Sequence, residues 1–268
     1  MTARPPIALT IAGSDSGGGA GIQADLKTFH AFGAFGTSVV TAVTAQNTLG
    51  VTAVHPIPGD VVRAQIDAVA GDLPPRAFKT GMLATAELVH LVADSVEAYR
   101  FKGYVLDPVM VATSGHRLLD VDAERAVLER LVPLAALVTP NLDEAAILAG
   151  FLVRDPDSMR RAAQVLVDRG AAAALLKGGH LASDELVDIL WDGREWREWR
   201  RPKLATTSTH GTGCTLSAAI AAGLAHGRPL MDAVDDALSF VARAIAAAPG
   251  YGAGHGPLNH LLPGRPTS

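Results

Sequence analysis

The chain has 268 residues, of which 49% are hydrophobic and 19% are charged, and its formal net charge is -4. This length and composition suit one folded domain, so we interpret residues 1–268 as a single domain whose Gly- and Pro-rich tail, about 250–268, is predicted to fray. The slight acidity argues against a general nucleic-acid or membrane-surface binder, since such proteins cluster Lys and Arg, and it favours small-molecule partners.

The single cysteine and the N-terminal sequence predict where the protein works. Cys214 is the only cysteine, so an intramolecular disulfide is excluded and a reducing compartment is favoured. The first apolar run is short and is interrupted by Gly13 and Asp15, unlike a signal peptide. The Ala-rich stretch 215–225 falls short of the ~20 apolar residues needed to cross a bilayer. We therefore predict a cytoplasmic protein.

Short apolar runs alternate with longer stretches of helical period along the chain. This pattern predicts an α/β fold in which helices cover a mostly parallel sheet. Asp192-Gly193 lies between two further runs, 185–190 and 195–200, and favours a hairpin. The other predicted strands are 7–12, 38–44, 77–80, 104–106, 137–139 and 172–177.

Two helices are indicated by apolar residues that recur with helical spacing. The first stripe contains Ile22, Leu26 and Phe29, and the second runs from Leu216 to Leu224. Both stripes are predicted to face the sheet.

Polar residues follow five of the predicted strands. In such sheets ligands bind beyond the carboxyl ends of the strands, where loops meet helix N-termini with unpaired N–H groups. The sequence therefore predicts a site at this edge. The five clusters are Gly13-Ser14-Asp15, Lys79-Thr80-Gly81, Asp107-Pro108, Thr139-Pro140-Asn141 and Lys177-Gly178-Gly179.

The segment Thr209-His210-Gly211-Thr212-Gly213-Cys214, hereafter the 209–214 loop, precedes the second helix. Glycines let the backbone approach an anion closely, and the N–H groups of Thr212, Gly213 and Cys214 would point at it. We interpret the loop as a phosphate cradle; the alternative is a tight turn before a buried helix. A thiol at a helix N-terminus can have a lowered pKa, which favours a functional Cys214.

Several common site types are excluded by the motifs. Neither Lys27-Thr28 nor Lys79-Thr80 is preceded by Gly, so no P-loop is present. The run Gly17 to Gly21 lacks the spacing of a dinucleotide fingerprint, since Ile22 stands where the last glycine belongs. The histidines outside the 209–214 loop show no metal-ligand spacing, and we predict no zinc.

Two of the strand-end clusters have alternative interpretations. Asn141 and Glu144 match a capping box at a helix start, and they can also serve a Mg²⁺ ion carried by a nucleotide. Lys177 is either a solvated strand end or a point charge on a phosphate.

Taken together, these motifs resemble the hydroxymethylpyrimidine/phosphomethylpyrimidine kinases of thiamine biosynthesis, within the ribokinase-like superfamily. The resemblance covers nearly the whole chain and depends on the order and spacing of seven motifs. They are the run from Ala12 to Asp25, Thr44-Ala45-Gln46-Asn47-Thr48, Lys79-Thr80-Gly81-Met82, Asp107-Pro108-Val109-Met110, Thr139-Pro140-Asn141 with Glu144, the run from Leu176 to His180, and the 209–214 loop.

The resemblance implies a three-layer α/β/α fold and two successive transfers from ATP with Mg²⁺, first to a hydroxymethyl group and then to the resulting monophosphate. It also implies a homodimer. The residues that it assigns to the pyrimidine are Gly13, Asp25, Gln46, Met82 and Val109. Those that it assigns to Mg-ATP are Asp107, Asn141, Glu144, Lys177 and Thr209, with Asp107 and Glu144 nearest the metal. The transferred phosphate is assigned to Gly211, Thr212, Gly213 and Cys214.

The resemblance suggests a specific role for Cys214. Many sugar kinases of the superfamily have Asp at this position, where a base deprotonates an alcohol. We expect a thiolate to do so in the first transfer, whereas the second acceptor is already ionised near pH 7. His116 departs from the acidic or small residue that is common in its loop.

Two other functions remain open from the sequence. A pyridoxal/pyridoxine kinase shares these loops and phosphorylates a similar hydroxymethyl group. A non-catalytic sensor of a vitamin precursor would keep the pocket without turnover, but it would have no use for the base and phosphate residues.

Overall fold

The structure is a computed structural model that describes residues 4–110, 121–179 and 185–265. Within these ranges, nine strands form one sheet in the order β3-β2-β1-β4-β5-β6-β7-β8-β9. The strands are β1 (Ile7–Asp15), β2 (Phe35–Asn47), β3 (Gly50–Pro56), β4 (Ala77–Thr80), β5 (Tyr104–Leu106), β6 (Leu137–Val138), β7 (Ala174–Leu176), β8 (Glu185–Trp191) and β9 (Trp196–Pro202).

Helices cover both faces of this sheet, which confirms the three-layer α/β/α prediction. The helices are α1 (Gly21–Ala31), α2 (Gly59–Asp72), α3 (Ala86–Tyr99), α4 (Val121–Ala126), α5 (Leu142–Ala149), α6 (Pro156–Asp168), α7 (Thr212–Ala225) and α8 (Leu230–Ala246). One hydrophobic core lies between the sheet and α2 to α6, and a second lies between the sheet and α1, α7 and α8.

Alternating side chains of the central strands reach the two cores. In β5, Tyr104 and Leu106 belong to the first core and Val105 to the second. Successive residues of a strand point to opposite faces, so a strand covered on both sides is mostly apolar. This explains why β5 and β7 read as continuous apolar runs in the sequence.

The predicted strands are confirmed in the centre of the sheet, where β4 and β5 have the predicted bounds. The hairpin is confirmed as well, because β8 and β9 pair antiparallel around Gly193, whose φ is 84°. Strand β3 was not predicted. It pairs antiparallel with β2 at the edge of the sheet and is mostly exposed, so it lacks an apolar run.

The last part of the chain packs against the rest, contrary to the predicted fraying. Leu258 is buried, and the N–H of His255 donates to the carbonyl of Thr48 at 2.8 Å. The N–H of Gly264 likewise donates to the carbonyl of Ala31 at 2.8 Å. These backbone bonds compensate for the lack of regular structure in the tail up to residue 265.

Helix α7 crosses the middle of its layer and is buried on almost every side, from Thr215 to Gly223. This burial explains its Ala-rich composition. Of the helices in the described ranges, none combines the length and the apolar character that a membrane span requires.

Candidate active site

The 209–214 loop ends in the N-terminus of α7, at the carboxyl edge of the parallel strands. Gly211 is the N-cap, with φ 82°, and no side chain caps the helix. A Cβ at Gly211 would overlap the carbonyl oxygen of Gly19, so the backbone approaches too closely for any side chain. The first N–H groups of a helix have no acceptor within the helix. Here the N–H of Thr212 donates to the Thr209 carbonyl at 3.3 Å, and among the described residues no side chain accepts from Gly213 or Cys214. The start of α7 can therefore receive an anion.

A buried cluster of charges lies beside this helix start. The Nζ atom of Lys177 is 3.1 Å from Oδ1 of Asp107, and Ser217 of α7 donates to the other carboxylate oxygen at 3.3 Å. A Cβ on Gly213 would lie 3.2 Å from Nζ of Lys177, so this glycine lets the ammonium approach the helix. The side chain of Lys177 is 16% exposed, which excludes the solvated strand end.

Asn141 and Glu144 form the predicted capping box at the start of α5. The Asn141 side chain accepts from the N–H of Glu144 at 2.9 Å, and the Glu144 carboxylate accepts from the N–H of Asn141 at 2.8 Å. Glu144 also lies 3.9 Å from Nζ of Lys177. Burial, aided by the nearby Asp107, raises the pKa of Glu144 to about 7, although Lys177 opposes the shift. One ammonium thus faces two buried carboxylates.

Asp188 of β8 holds the loop after Lys177 in place, a role that we did not predict. Its carboxylate accepts from the N–H of Gly178 at 3.0 Å and pairs with Arg201 of β9. The available signal was a single Asp inside the apolar run Leu186 to Leu190.

The thiol of Cys214 lies at the first turn of α7. Burial raises its pKa to about 12; Lys79 favours the thiolate, but Asp25 and Asp107 oppose it. The expected lowering of this pKa is therefore wrong for the ligand-free protein. The helix dipole is outweighed by the loss of water and by two carboxylates.

Asp25, which the resemblance assigns to the pyrimidine, is paired with a buried lysine. It is fully buried, accepts from Oγ1 of Thr10 at 2.6 Å and lies 3.2 Å from Nζ of Lys79. Lys79 is also fully buried, which by itself lowers its pKa, but Asp25 together with Cys214 and Asp107 outweighs burial and holds the pKa above the ordinary value. The pair places a fixed ammonium near Cys214.

The other residues assigned to the pyrimidine lie at the carboxyl ends of β1, β2, β4 and β5. Gly13 lies at an irregularity in the β1 register, and a Cβ there would be 2.7 Å from Cε of Met82. Gln46 and Val109 are partly exposed, and the N–H of Val109 donates to the carbonyl of Asp107 at 2.8 Å. The latter bond places Val109 beside the charged cluster.

Thr209 lies at the outer end of the 209–214 loop, where it supports the turn. Its carbonyl accepts from Oγ1 of Thr212 at 2.7 Å and from the N–H of Thr212 at 3.3 Å. His116 lies outside the described residues.

A second loop, residues 16–20, is attached to the 209–214 loop by two residues that we did not predict. The Asp15 carboxylate accepts from the N–H groups of Gly17, Gly19 and Ala20 at 2.8 to 3.0 Å, and His210 lies 2.9 Å from the same carboxylate. In the sequence, Asp15 was visible only as part of a strand-end cluster.

The comparisons with known proteins agree on one family. The family model described as phosphomethylpyrimidine kinase matches residues 15–259. A hydroxymethylpyrimidine/phosphomethylpyrimidine kinase of Rhizobium meliloti is 52% identical over 95% of this chain and 97% of its own length. A thiamine biosynthesis bifunctional protein of Geobacter sulfurreducens is 50% identical over 95% of this chain, but the chain spans only 52% of that protein.

Two solved structures have the same fold. Phosphomethylpyrimidine kinase from Clostridium difficile is 42% identical, with a TM-score of 0.81 over 90% of this chain and 99% of that one. Bacillus subtilis pyridoxal kinase, solved as an ADP complex, is 37% identical, with a TM-score of 0.89 over 96% of this chain and 97% of that one.

Proposed function

The chain belongs to the phosphomethylpyrimidine kinase family, and from this membership and the site geometry we propose how it carries out its reaction. The enzyme transfers phosphoryl groups from ATP to 4-amino-5-hydroxymethyl-2-methylpyrimidine and then to the monophosphate, as in thiamine biosynthesis. One observation carries the mechanism: the uncapped start of α7 faces Lys177 across Gly213, with Cys214 in the same turn. Phosphoryl transfer depends mainly on positioning and charge stabilisation, which this arrangement supplies.

The ATP side of the site is proposed to be the charged cluster. Lys177 contacts the phosphates, the N–H groups of Gly213 and Cys214 hold the transferred group, and Thr209, which accepts from the N–H of Thr212, keeps the loop in shape. Asn141 fixes Glu144 through the capping box, so the carboxylate is held in one orientation.

The same cluster fits a Mg²⁺ ion. Asp107 and Glu144 are buried carboxylates that share a single ammonium, which leaves negative charge for a divalent cation to neutralise. Mg²⁺ prefers oxygen ligands and retains several waters, so these residues would hold it directly or through water. When bound, the ion would neutralise charge that develops on the phosphates.

The acceptor side is proposed to be Gly13, Met82, Gln46 and Val109. Gly13 and Met82 supply close apolar contact, and Gln46 supplies hydrogen bonds to an aminopyrimidine edge. Asp25 acts below them by holding Lys79. The lone cysteine, placed at the site, is consistent with a reducing cytoplasm.

Pyridoxal phosphorylation is the second candidate, since the TM-score of 0.89 to a pyridoxal kinase exceeds the 0.81 to a phosphomethylpyrimidine kinase. The higher sequence identity to the pyrimidine kinases favours the first candidate.

ADP release with product masses tests the function. Hydroxymethylpyrimidine, its monophosphate and pyridoxal are offered separately, with an acceptor-free reaction as the background. We expect the pyrimidine to gain first one and then a second phosphoryl group, at rates well above those with pyridoxal. Faster turnover of pyridoxal, or ADP release equal to the background, would contradict the proposal.

We also propose that two copies associate through the β2–β3 edge. β3 is the last strand at one edge of the sheet, and within the described ranges no strand pairs with its outer side. Val43, Leu49 and Val54 are exposed on β2, β3 and their turn. An exposed apolar edge is suited to pairing with a second chain. Light scattering should give twice the mass of one chain, and Leu49→Lys should reduce it. A one-chain mass for the wild type would disprove the dimer.

A further inference from the structure

The imidazole of His210 lies between Asp15 and Gln46 at the substrate side of the 209–214 loop. Its Nε2 atom is 2.9 Å from Oδ2 of Asp15 and 3.3 Å from Nε2 of Gln46. The ring is buried and also packs against Gly19, where a Cβ would lie 2.5 Å from Cδ2. One nitrogen therefore has two side-chain partners. Whether each of them is a donor or an acceptor decides which hydrogen bonds this nitrogen can make.

Asp15 is an acceptor only. Its two oxygens receive three backbone N–H bonds, which stabilise the ionised carboxylate. Burial alone would raise the pKa of Asp15, but the hydrogen bonds from His210, Ala20 and Gly17 outweigh it and hold the pKa below its ordinary value. A carboxylate has no proton to donate, so Nε2 of His210 must carry the hydrogen of the 2.9 Å bond.

The amide nitrogen of Gln46 then faces another N–H group, which is a repulsive arrangement of two donors. A half-turn of the amide removes the conflict, because Oε1 can accept from His210. The same turn places the amide nitrogen near Oγ1 of Thr44, which lies 3.2 Å from the amide and donates its own hydrogen to the carbonyl of Ser14 at 2.8 Å. That hydroxyl has free lone pairs to accept with. In this orientation no two donors face each other, and the single Nε2 hydrogen of His210 is shared between Asp15 at 2.9 Å and the Gln46 carbonyl at 3.3 Å as a three-centre bond.

We propose that His210, held by Asp15, is a positioning residue that keeps the Gln46 amide carbonyl turned toward the imidazole and thereby sets the selectivity of the site for an aminopyrimidine ring.

The consequence for the ligand rests on the proposed function. In the fixed orientation Gln46 retains one N–H and one carbonyl lone pair after its bonds to Thr44 and His210. An aminopyrimidine edge offers an amino donor next to a ring-nitrogen acceptor, so it can pair with both. A ring that lacks the amino group leaves the carbonyl unpaired, and such an unpaired group is the strongest source of discrimination in a site.

Nuclear magnetic resonance of the imidazole nitrogens tests the orientation without any turnover. In ¹⁵N-labelled wild-type protein at neutral pH, with His210 assigned by comparison with the His210→Gln spectrum, we expect Nε2 to be protonated. A neutral ring with a bare Nε2 and a protonated Nδ1 would overturn the proposal.

Calorimetric binding tests the selectivity. The ligands are hydroxymethylpyrimidine and its analogue without the amino group, and the variants are His210→Phe and His210→Gln. Phenylalanine keeps a flat ring against Gly19 but has no N–H, whereas glutamine restores a donor at similar reach. We expect His210→Phe to weaken binding of the aminopyrimidine by about 10- to 100-fold and that of the analogue by less than about threefold. His210→Gln should recover most of the loss.

Thr44→Val provides a second variant, because it removes the other group that holds the amide. It should reduce the ratio of the analogue's dissociation constant to that of the aminopyrimidine, and this test remains possible even if His210→Phe does not fold. An unchanged ratio in a folded variant would overturn the role of His210. Failure of the wild type to bind the aminopyrimidine would instead overturn the proposed function, and the nitrogen spectrum would still decide the orientation.

Discussion

Cys214→Ala is expected to slow the first phosphorylation by about 10²- to 10⁴-fold and the second by less than about tenfold. The first acceptor is an alcohol, which holds its proton tightly and needs a base. The second acceptor is a phosphomonoester with a pKa of about 6, so it is already ionised at neutral pH. Removing the thiol removes the proposed base, whereas the helix start and Lys177 remain for both steps.

The pH dependence of the wild type provides a second part of this prediction. With the pKa of Cys214 raised to about 12, its thiolate is scarce at neutral pH and becomes more abundant as the pH rises. The rate of the first step should therefore rise by roughly tenfold per pH unit between about pH 7 and 9 if the thiolate is the base. The rate of the second step should stay nearly flat.

Single-turnover rates with each acceptor measure both parts. Cys214→Asp is the matched control, because a carboxyl group ordinarily ionises at a much lower pH than a thiol, so the rise of the first-step rate should move to lower pH. Equal losses of both rates in Cys214→Ala would show that Cys214 supports the loop and is not a base.

Gly211→Ala is expected to reduce both phosphorylations together, by more than about 100-fold, and to lower the free energy of unfolding by about 2–5 kcal/mol. Gly211 has φ 82°, and a Cβ there would overlap the carbonyl oxygen of Gly19 and lie 2.8 Å from its carbon atom. Both neighbours are backbone atoms, so the overlap can be removed only if the 209–214 loop and the 16–20 loop move apart. The phosphate cradle would be lost for either acceptor.

Gly33→Ala is the control for this variant. Its φ of 72° is similar, but nothing lies within 4 Å of the added Cβ. It should lose only the 1–2 kcal/mol or so that the left-handed conformation costs and should keep both activities. Denaturant unfolding and single-turnover kinetics separate the two variants. If Gly211→Ala lost one activity and kept the other, the loop would not be a shared cradle.

The predictable parts of the fold are those that local residue patterns dictate. The bounds of β4 and β5 follow from apolar runs that end in polar residues, and the Asn141–Glu144 capping box follows from residue types three positions apart. Both features depend on neighbours in the chain. Strand β3 has no such pattern, since it exists through pairing with β2 and its side chains are mostly exposed.

The candidate site shows the same division. Motif order placed Lys177, Asp107 and Gly213 at one edge of the sheet, and the structure brings them together. Asp25, which the resemblance assigns to the ligand, is fully buried against Lys79, and nothing in its own segment reveals how deep α1 lies.

By itself the sequence determined the α/β class, the central strands, the glycine-rich helix start and, through motif order, the family. These features depend on residue type and on the spacing of nearby residues, both of which can be read directly from the sequence. Only the tertiary structure decided that the Cys214 thiol has a raised pKa and that His210 meets Asp15, 195 residues away. Burial and long-range pairing arise only when segments that are distant in sequence pack together and exclude water. Local residue patterns therefore cannot predict them.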